Sequence, residues 1–433
     1  MNIGVNLAGI PICFAVDGLS ILFLTMAVVL WILVFAATYG YMSHDAGKKS
    51  FYIYYVIVLG CMAGIFCSGN LVTMYLFYEM MTLTALPLII HYRRKADVAA
   101  GMKYLYYSCA GAVLGLFGII FLYTQYGYRG ICWQNGGSVD LASCGPLAYV
   151  VVMLMICGFC VKAGMFPMHV WLPAAHPKAP APASAVLSGV ITKAGIFCVI
   201  RIVYYVIGFS DIKGTWVQYI WIMLSLISVF LGSVMAYKTR ELKMRLAYSS
   251  VSQLSYILFG LSLCHPAAFA GALMHVLAHG FIKNQLFCTA GLMIHETGCA
   301  DVDCFSGLGR KMPWTMTGFV IASLALVGVP PLSGFASKWY LLKGCLESDI
   351  SVVWWFGAVI LLISALLTAW YLLPIGIQAF LPGESCSMKR IDDVGEDKLS
   401  VVALLLMSAV TILIGVFSSK IYESLSAIIE TVF

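Results

Sequence analysis

Long apolar runs separated by short polar segments occupy almost the whole chain of 433 residues. Read against the charged residues, glycines and prolines, these runs predict about twelve membrane-spanning helices. The predicted spans lie near 18–42, 51–68, 70–92, 101–126, 146–173, 182–208, 216–237, 245–263, 267–293, 313–345, 351–381 and 399–418. Because a bilayer core about 30 Å thick needs roughly 20 apolar residues per helix, no sizeable soluble domain fits beside them. The pattern predicts an all-α, polytopic membrane protein.

Composition agrees with this prediction. Hydrophobic residues make up 62% of the chain and charged residues 10%, whereas soluble proteins have about 45–50% apolar and about 25% charged residues. An ordinary soluble globular, disordered or disulfide-scaffold protein is therefore excluded. The sequence also has no phosphate loop, dinucleotide fingerprint or paired-cysteine iron–sulfur pattern, so we expect neither a cofactor nor a metal in this chain.

The 15 cysteines lie mostly inside apolar runs, where a free thiol packs as a small hydrophobe. Cys157 and Cys160 form a single CxxC within a span, which we interpret as packing. Cys132 and Cys144 share the one long outer loop and are the candidate pair for a disulfide.

Basic residues are concentrated in alternate loops. This set comprises Lys48, Lys49, Arg93, Arg94, Lys95, Lys103, Lys178, Lys238, Arg240, Lys243, Arg245, Arg310, Lys311, Lys389, Arg390 and Lys398. The positive-inside rule then predicts that these loops are cytoplasmic and that both termini are outside. The N-terminus has neither the basic region of a signal peptide nor an Arg-rich transit pattern, and we infer the cytoplasmic membrane of a prokaryote.

Seven ionisable residues remain at membrane depth after the loops are assigned. They are Glu79, Lys162, Lys193, His275, His279, Lys283 and Lys338. A charge at mid-depth costs about 2.5–3.5 kcal/mol, so such residues indicate pairing, water or function. Glu79 is the only acidic one and is the natural partner for Lys162 or Lys193. Arg201 lies near the outer end of its span and is expected to snorkel to the headgroups.

His275, His279 and Lys283 are spaced i, i+4, i+8 and therefore lie along one helix face. Histidine titrates nearest neutrality, so a ladder of this kind suits proton relay. The alternatives are two core histidines satisfied by neighbours with a snorkelling lysine, or a metal site, although no third soft ligand shares the spacing. The next span toward the N-terminus adds polar residues that either hold water or bond back to their own helix. They are Ser249, Ser250, Ser252, Gln253 and Ser255.

Two spans contain helix-breaking prolines close to a lysine. Pro167 follows Lys162, and Pro330 and Pro331 precede Lys338. Interrupted helices at corresponding places in two halves indicate an inverted repeat around a transport site. We divide the chain into an outer N-terminal segment 1–17, a leading helix and loop 18–50, a first five-helix repeat 51–208, a second five-helix repeat 209–381, and an inner loop with C-terminal helix 382–433.

Several strings resemble the antiporter-like subunits shared by respiratory complex I, Mrp-type sodium/proton antiporters and membrane-bound hydrogenase complexes. They are "YLFYEMMTLTALPL", "VKAGMFPMHVWLPAAHPKAPAPASAVLSGVITKAGIFCVIR", "RLAYSSVSQLSY", "HVLAHGFIKNQLF" and "GVPPLSGFASKW". The resemblance implies an essential glutamate at Glu79 with its partner Lys162, and a central lysine at Lys193. It further implies that the face of His275, His279 and Lys283 forms the middle of a hydrophilic axis and that Lys338 is the exit-side residue. Family members usually have fourteen core helices, and the two leading ones have no counterpart here, so we expect a neighbouring subunit or lipid to cover that surface.

The functional prediction is a proton-translocating subunit of a multisubunit redox-driven ion pump of the hydrogenase or complex I kind. Protons would pass along Lys162, Lys193, His275/His279, Lys283 and Lys338. The alternatives are an Mrp-type Na⁺/H⁺ antiporter subunit, a structural subunit that conducts nothing, and a self-sufficient solute symporter, for which the sequence offers no substrate cluster. The expected partners are other membrane subunits, among them a homologous antiporter-like subunit and a redox or hydrogenase module, together with lipid and without nucleic acid. The chain would belong to a translocase without a redox centre of its own.

Overall fold

A computed structural model describes residues 2–7, 9–134, 136–137, 139–382 and 395–433. These residues are helical almost throughout, which confirms the predicted fold class. The N-terminal segment adds a feature that the sequence did not predict. Strands β1 (Asn2–Leu7) and β2 (Ile10–Cys13) pair antiparallel as a hairpin ahead of the first helix. Lys389 and Arg390, assigned to a cytoplasmic loop, lie outside the described residues.

The first half of the chain forms the following helices: α1 (Gly18–Ser43), α2 (Lys48–Phe66), α3 (Leu71–Ile89), α4 (Lys95–Tyr126), α5 (Pro146–Ala163), α6 (Trp171–Ala175), α7 (Ala181–Val186) and α8 (Thr192–Ile200). Capping side chains mark the starts of two of them. The carboxylate of Asp17 accepts a hydrogen bond from the Ser20 amide at the start of α1, and the side chain of Asn70 caps α3 in the same way.

The second half continues with α9 (Trp216–Lys238), α10 (Leu242–Ser262), α11 (Pro266–Thr297), α12 (Pro313–Val327), α13 (Ser333–Leu346), α14 (Ser351–Phe380), α15 (Lys398–Val416) and α16 (Ser418–Glu430). The single C-terminal helix of the sequence interpretation is therefore two helices. Phe433 packs its ring against Tyr204 and Phe209, so the end of the chain lies against the segment that follows α8.

Nine helices within the described part of the chain are long and apolar enough to cross a membrane. The helices α10, α11 and α13 are not among them, and α12 is apolar but short. All of these segments were expected to contribute spans. The total of about twelve spans, the division into two repeats and their inverted relation remain predictions.

Contacts between loops define two faces of the molecule. On the first, which we call the basic face, His91 pairs with Asp45 at 3.0 Å and Arg240 pairs with Asp301 at 3.4 Å. On the opposite face Lys213 pairs with Asp349 at 2.7 Å, and this hydrogen bond and charge lower the pKa of Asp349. Loops that the sequence assigns to one side of the membrane thus meet each other in the fold.

The two proline breaks share a backbone pattern. Gly164 ends α5 in a left-handed conformation with φ of 71°, and Gly328 ends α12 with φ of 98°. Such angles suit glycine because it has no Cβ. A cis Phe166–Pro167 bond follows the first break and a cis Pro330–Pro331 bond follows the second. Both predicted interruptions are therefore present, one in each half.

Helix α11 lies at the centre of the fold and contacts α1, α7, α10, α12, α13 and α15. It also contacts the turn Leu187–Ile191, and a glycine allows this approach, because a Cβ at Gly189 would lie 1.9 Å from the side-chain nitrogen of Asn284. The histidines and Lys283 are on this central helix, so the fold surrounds them with protein on several sides.

Arg201 does not snorkel, and that expectation was wrong. Its side chain is 0% exposed and donates two hydrogen bonds to Asp17, at 2.6 Å and 2.7 Å. The guanidinium also contacts the rings of Tyr205 at 4.5 Å and Phe197 at 5.0 Å. No local pattern indicated this partner, since Asp17 lies 184 residues away along the chain.

The candidate cysteine pair of the outer loop does not form a disulfide. Cys132 and Cys144 are free thiols, and the Sγ of Cys144 lies 3.1 Å from the hydroxyl of Tyr126. The disulfide within the described residues joins Cys299 and Cys304 instead, on the basic face. Cys157 and Cys160 are free, as the packing interpretation requires.

Candidate proton pathway

Lys162 lies in the last turn of α5, immediately before the first break, and is 0% exposed. Its ammonium donates hydrogen bonds to the hydroxyls of Tyr104 at 2.8 Å and Ser108 at 3.1 Å, both on α4. The same nitrogen lies 4.3 Å from the centre of the Tyr104 ring and 5.6 Å from that of Tyr78. Hydroxyl oxygens and ring faces both stabilise a cation, so this pocket favours the protonated form of the lysine without a carboxylate in direct contact.

Glu79 is half-buried on α3. Its Oε1 has no hydrogen-bond partner among the described residues. No ion pair within 4.0 Å joins Glu79 to Lys162 in the described part of the chain, although the two groups interact electrostatically over a longer distance. The predicted pairing therefore exists here in a separated form, and its role in function remains a prediction.

Lys193 directly contacts the histidine ladder. Its Nζ lies 2.6 Å from Nδ1 of His279 and 2.6 Å from the carbonyl oxygen of Ser188. Ser188 belongs to a π-helical turn, Leu187–Ile191, and a second such segment, Arg201–Ile207, follows α8. Wide turns of this kind occur frequently at functional sites. The sequence interpretation missed them because no residue type marks a π turn.

His275 links the ladder to the second broken helix. Its ring centre lies 6.1 Å from that of His279, and its Nδ1 is 2.9 Å from the hydroxyl of Ser337 on α13. Lys338 is the next residue after Ser337, and its Nζ lies 5.2 Å from the ring centre of Tyr256, on which His275 stacks. Ser337 and Tyr256 were not among the predicted site residues.

Lys338 interacts with the end of the helix before the break. Its Nζ donates hydrogen bonds to the carbonyl oxygens of Leu326 at 2.6 Å and Val327 at 3.0 Å. These are the last two residues of α12, and the carbonyls at a helix C-terminus have no partner within the helix and favour a cation. The break therefore creates a cation site of backbone oxygens.

Lys283 lies away from Lys338 and close to α10. Its Nζ donates hydrogen bonds to the carbonyl oxygen of Leu246 at 3.0 Å and to the hydroxyl of Ser249. The contacts give the order Lys193, His279, His275, Lys338, with Lys283 as a branch near the start of α10. The predicted order placed Lys283 between the histidines and Lys338, and these contacts do not support that order.

For the polar residues on α10, the sequence left two alternatives: they hold water, or they bond back to their own helix. Ser249, Ser250 and Ser255 donate hydrogen bonds to carbonyl oxygens of their own helix. Ser250 also reaches Ser188 at 2.7 Å, whereas the side chain of Gln253 has no hydrogen-bond partner among the described residues. Most of these residues satisfy themselves or a neighbour.

The architecture is that of a polytopic helical membrane protein with a buried row of lysines and histidines between two interrupted helices. A family model for the NADH:quinone oxidoreductase/Mrp antiporter transmembrane family matches residues 68–368. The chain belongs to this family, which confirms the resemblance read from its motifs.

The chain is similar in sequence to proteins of several kinds. The chain is 35% identical to NADH-quinone oxidoreductase subunit N of Desulforudis audaxviator, over 81% of this chain and 69% of that protein. It is 28% identical to a Na(+)/H(+) antiporter subunit of Alkalihalophilus pseudofirmus, over 93% of this chain and 80% of that protein. Among solved structures, a chain of the Mrp complex from Dietzia sp. DQ12-45-1b matches with a TM-score of 0.86 at 22% identity, covering 100% of this chain and 86% of that one. This last likeness establishes the fold.

Proposed function

We propose that this chain is a proton-translocating subunit of a multisubunit, redox-driven ion pump of the complex I or hydrogenase kind. The observation that carries the proposal is the direct contact of Lys193 with His279, at 2.6 Å, within a row of buried residues that continues through His275 to the half-buried Lys338. Buried ionisable groups within reach of one another suit proton transfer and are costly without function.

Glu79 and Lys162 act as the control element in this proposal. A buried lysine keeps its proton more readily when a carboxylate is near and releases it when the carboxylate withdraws. Their separation in this structure supports a mobile pair, with the Tyr104 and Ser108 hydroxyls holding Lys162 in the separated state. The driving reaction lies in a partner subunit. Moving one charge against 100 mV takes about 2.3 kcal/mol, which a change in the distance of one close charge pair can supply.

The proposal includes location and partners. The chain is a multi-pass membrane protein, and we place it in the prokaryotic cytoplasmic membrane with the basic face inside and both termini outside. We assign it no cofactor of its own, so a redox or hydrogenase module and a homologous antiporter-like subunit complete the complex.

Sodium prefers carboxylate and carbonyl oxygens. With one half-buried glutamate among several lysines, we assign protons rather than sodium to this subunit.

The test is proton uptake by inverted membrane vesicles that contain the whole complex. His279→Gln keeps a polar side chain but cannot carry a proton, and His265→Gln, on the opposite face, is the matched control. We expect the first variant to lose at least about 90% of the share of proton uptake per turnover that this subunit carries and the second to retain it. Sodium-dependent proton exchange that His279→Gln abolishes, without proton uptake driven by a redox reaction, would instead assign the chain to the Mrp-type alternative.

A further inference from the structure

His176 is a buried histidine that the sequence interpretation did not single out. It follows α6, is 0% exposed, and neither ring nitrogen has a hydrogen-bond partner among the described residues. A neutral imidazole carries one N–H and one acceptor nitrogen. Leaving a buried polar group unpaired costs about 1–3 kcal/mol. Packing alone does not require ring nitrogens, so it does not explain why a histidine occupies this position.

The ring of His176 lies next to Lys283. It stacks on Phe287, with ring centres 4.6 Å apart and planes inclined by 20°. Phe287 is four residues after Lys283 on α11, so the two side chains are neighbours on one helix face. His176 and Lys283 also interact electrostatically. The histidine is therefore about one helical turn from the branch residue of the axis, on the side of the basic face.

A second lysine connects His176 with the surface. Lys243 interacts electrostatically with His176, and its Nζ donates a hydrogen bond to the carbonyl oxygen of Ala179 at 3.1 Å, within the turn that His176 begins. Lys243 is 7% exposed. The other charges that act on Lys243 are Glu241 and Arg94. His176 thus lies between a fully buried lysine and a lysine that reaches the basic face.

We propose that His176 is the proton-carrying residue that connects the basic face with Lys283. One ring nitrogen takes a proton from water near Lys243, and the other ring nitrogen gives a proton to the amine of Lys283. Charge and atoms balance with one proton taken up and one passed on, and no electron moves. This inference rests on the proposed function and assigns an inlet to it.

The test compares three variants in the whole complex, again with proton uptake by inverted vesicles. His176→Ala removes the ring, His176→Gln keeps polarity, and His176→Phe keeps the stack on Phe287. We expect the share of proton uptake that this subunit carries to fall at least about tenfold in all three, with the complex assembled. Imidazole added to the bath, which faces the basic side, should restore a large part of the rate in His176→Ala but not in Lys283→Ala. His295→Gln, an exposed histidine on the same face, is the control and should behave as the unaltered chain.

Two results would overturn the proposal that His176 is the inlet. One is a normal rate in His176→Gln or His176→Phe, which would show that packing or polarity suffices. The other is a slowed His176→Ala variant that does not respond to imidazole. If His279→Gln pumps normally as well, the proposed function itself is wrong. A normal rate in the His176 variants together with a loss in His279→Gln refutes the inlet alone.

Discussion

The hydroxyls around Lys162 provide a quantitative test of the separated state. Tyr104→Phe removes the oxygen that lies 2.8 Å from the ammonium but keeps the ring, whose centre is 4.3 Å away. The hydroxyl of Ser108, at 3.1 Å, also remains. The substitution thus deletes one hydrogen bond to a charged group and little else, since the other bond of this hydroxyl, to the carbonyl oxygen of Thr82, is long at 3.3 Å.

A hydrogen bond to a charged group contributes about 1.5–3 kcal/mol. Each 1.4 kcal/mol is about a factor of ten in an equilibrium, so the substitution disfavours the charged, separated state of Lys162 by roughly 10- to 100-fold. In the proposed cycle Lys162 leaves Glu79 while still protonated and only then passes its proton on, so proton uptake per turnover should fall by at least about half. Membrane insertion and assembly should be unchanged, since the buried ring remains in place.

The assay is fluorescence quenching by a pH-sensitive dye in inverted vesicles, divided by the turnover of the partner reaction. Tyr106→Phe is the matched control, because Tyr106 is on the same helix but is 66% exposed on the outside of the protein. Equal proton uptake per turnover in Tyr104→Phe and Tyr106→Phe, with both complexes intact, would refute the role given to this hydroxyl.

Asp17→Asn should lower the free energy of unfolding by an amount toward the lower end of about 1.5–3 kcal/mol, because Asp17 is 40% exposed while Arg201 is fully buried. Burial opposes ionisation of Asp17, but the hydrogen bonds and charge of Arg201 outweigh it and lower the pKa of this carboxyl. Its contribution is therefore present above the ordinary value of 3.8 and lost as the pH falls through the lower folded value, and thermal unfolding of Asp17→Asn should lack that acid dependence. Gly195→Ala should destabilise the complex by about 1–3 kcal/mol, because its Cβ would lie 2.7 Å from the carbonyl oxygen of Phe159. Gly60→Ala, with nothing within 4 Å of the added carbon, should be neutral or slightly stabilising in the same thermal assay.

The sequence was sufficient for the helical class and for both broken helices, because apolar runs of bilayer length and prolines beside lysines are local signals. It also predicted which ionisable residues lie at membrane depth: Lys162, Lys193, His275, His279, Lys283 and Lys338. All of them are buried except Lys338, and the Nζ of Lys338 donates its hydrogen bonds inward to α12. Burial follows from the cost of a charge in an apolar span.

The partners of those residues depended on tertiary structure. Spacing along α11 predicts that Lys283 shares a face with the histidines, but it does not say that α10 supplies the acceptor, Ser249. The carboxylate that pairs with Arg201 comes from the N-terminal end of the chain. His176 was missed because its position beside Phe287 exists only after the turn beyond α6 packs on α11.

The most direct test of the central claim is the number of protons moved per turnover by the purified, reconstituted complex with Lys193→Gln. Lys193 is the residue whose contact with His279 joins the first half of the row to the second. We predict that the partner reaction continues while the protons moved per turnover drop by the share that this subunit carries. An unchanged number in an intact complex would contradict the account.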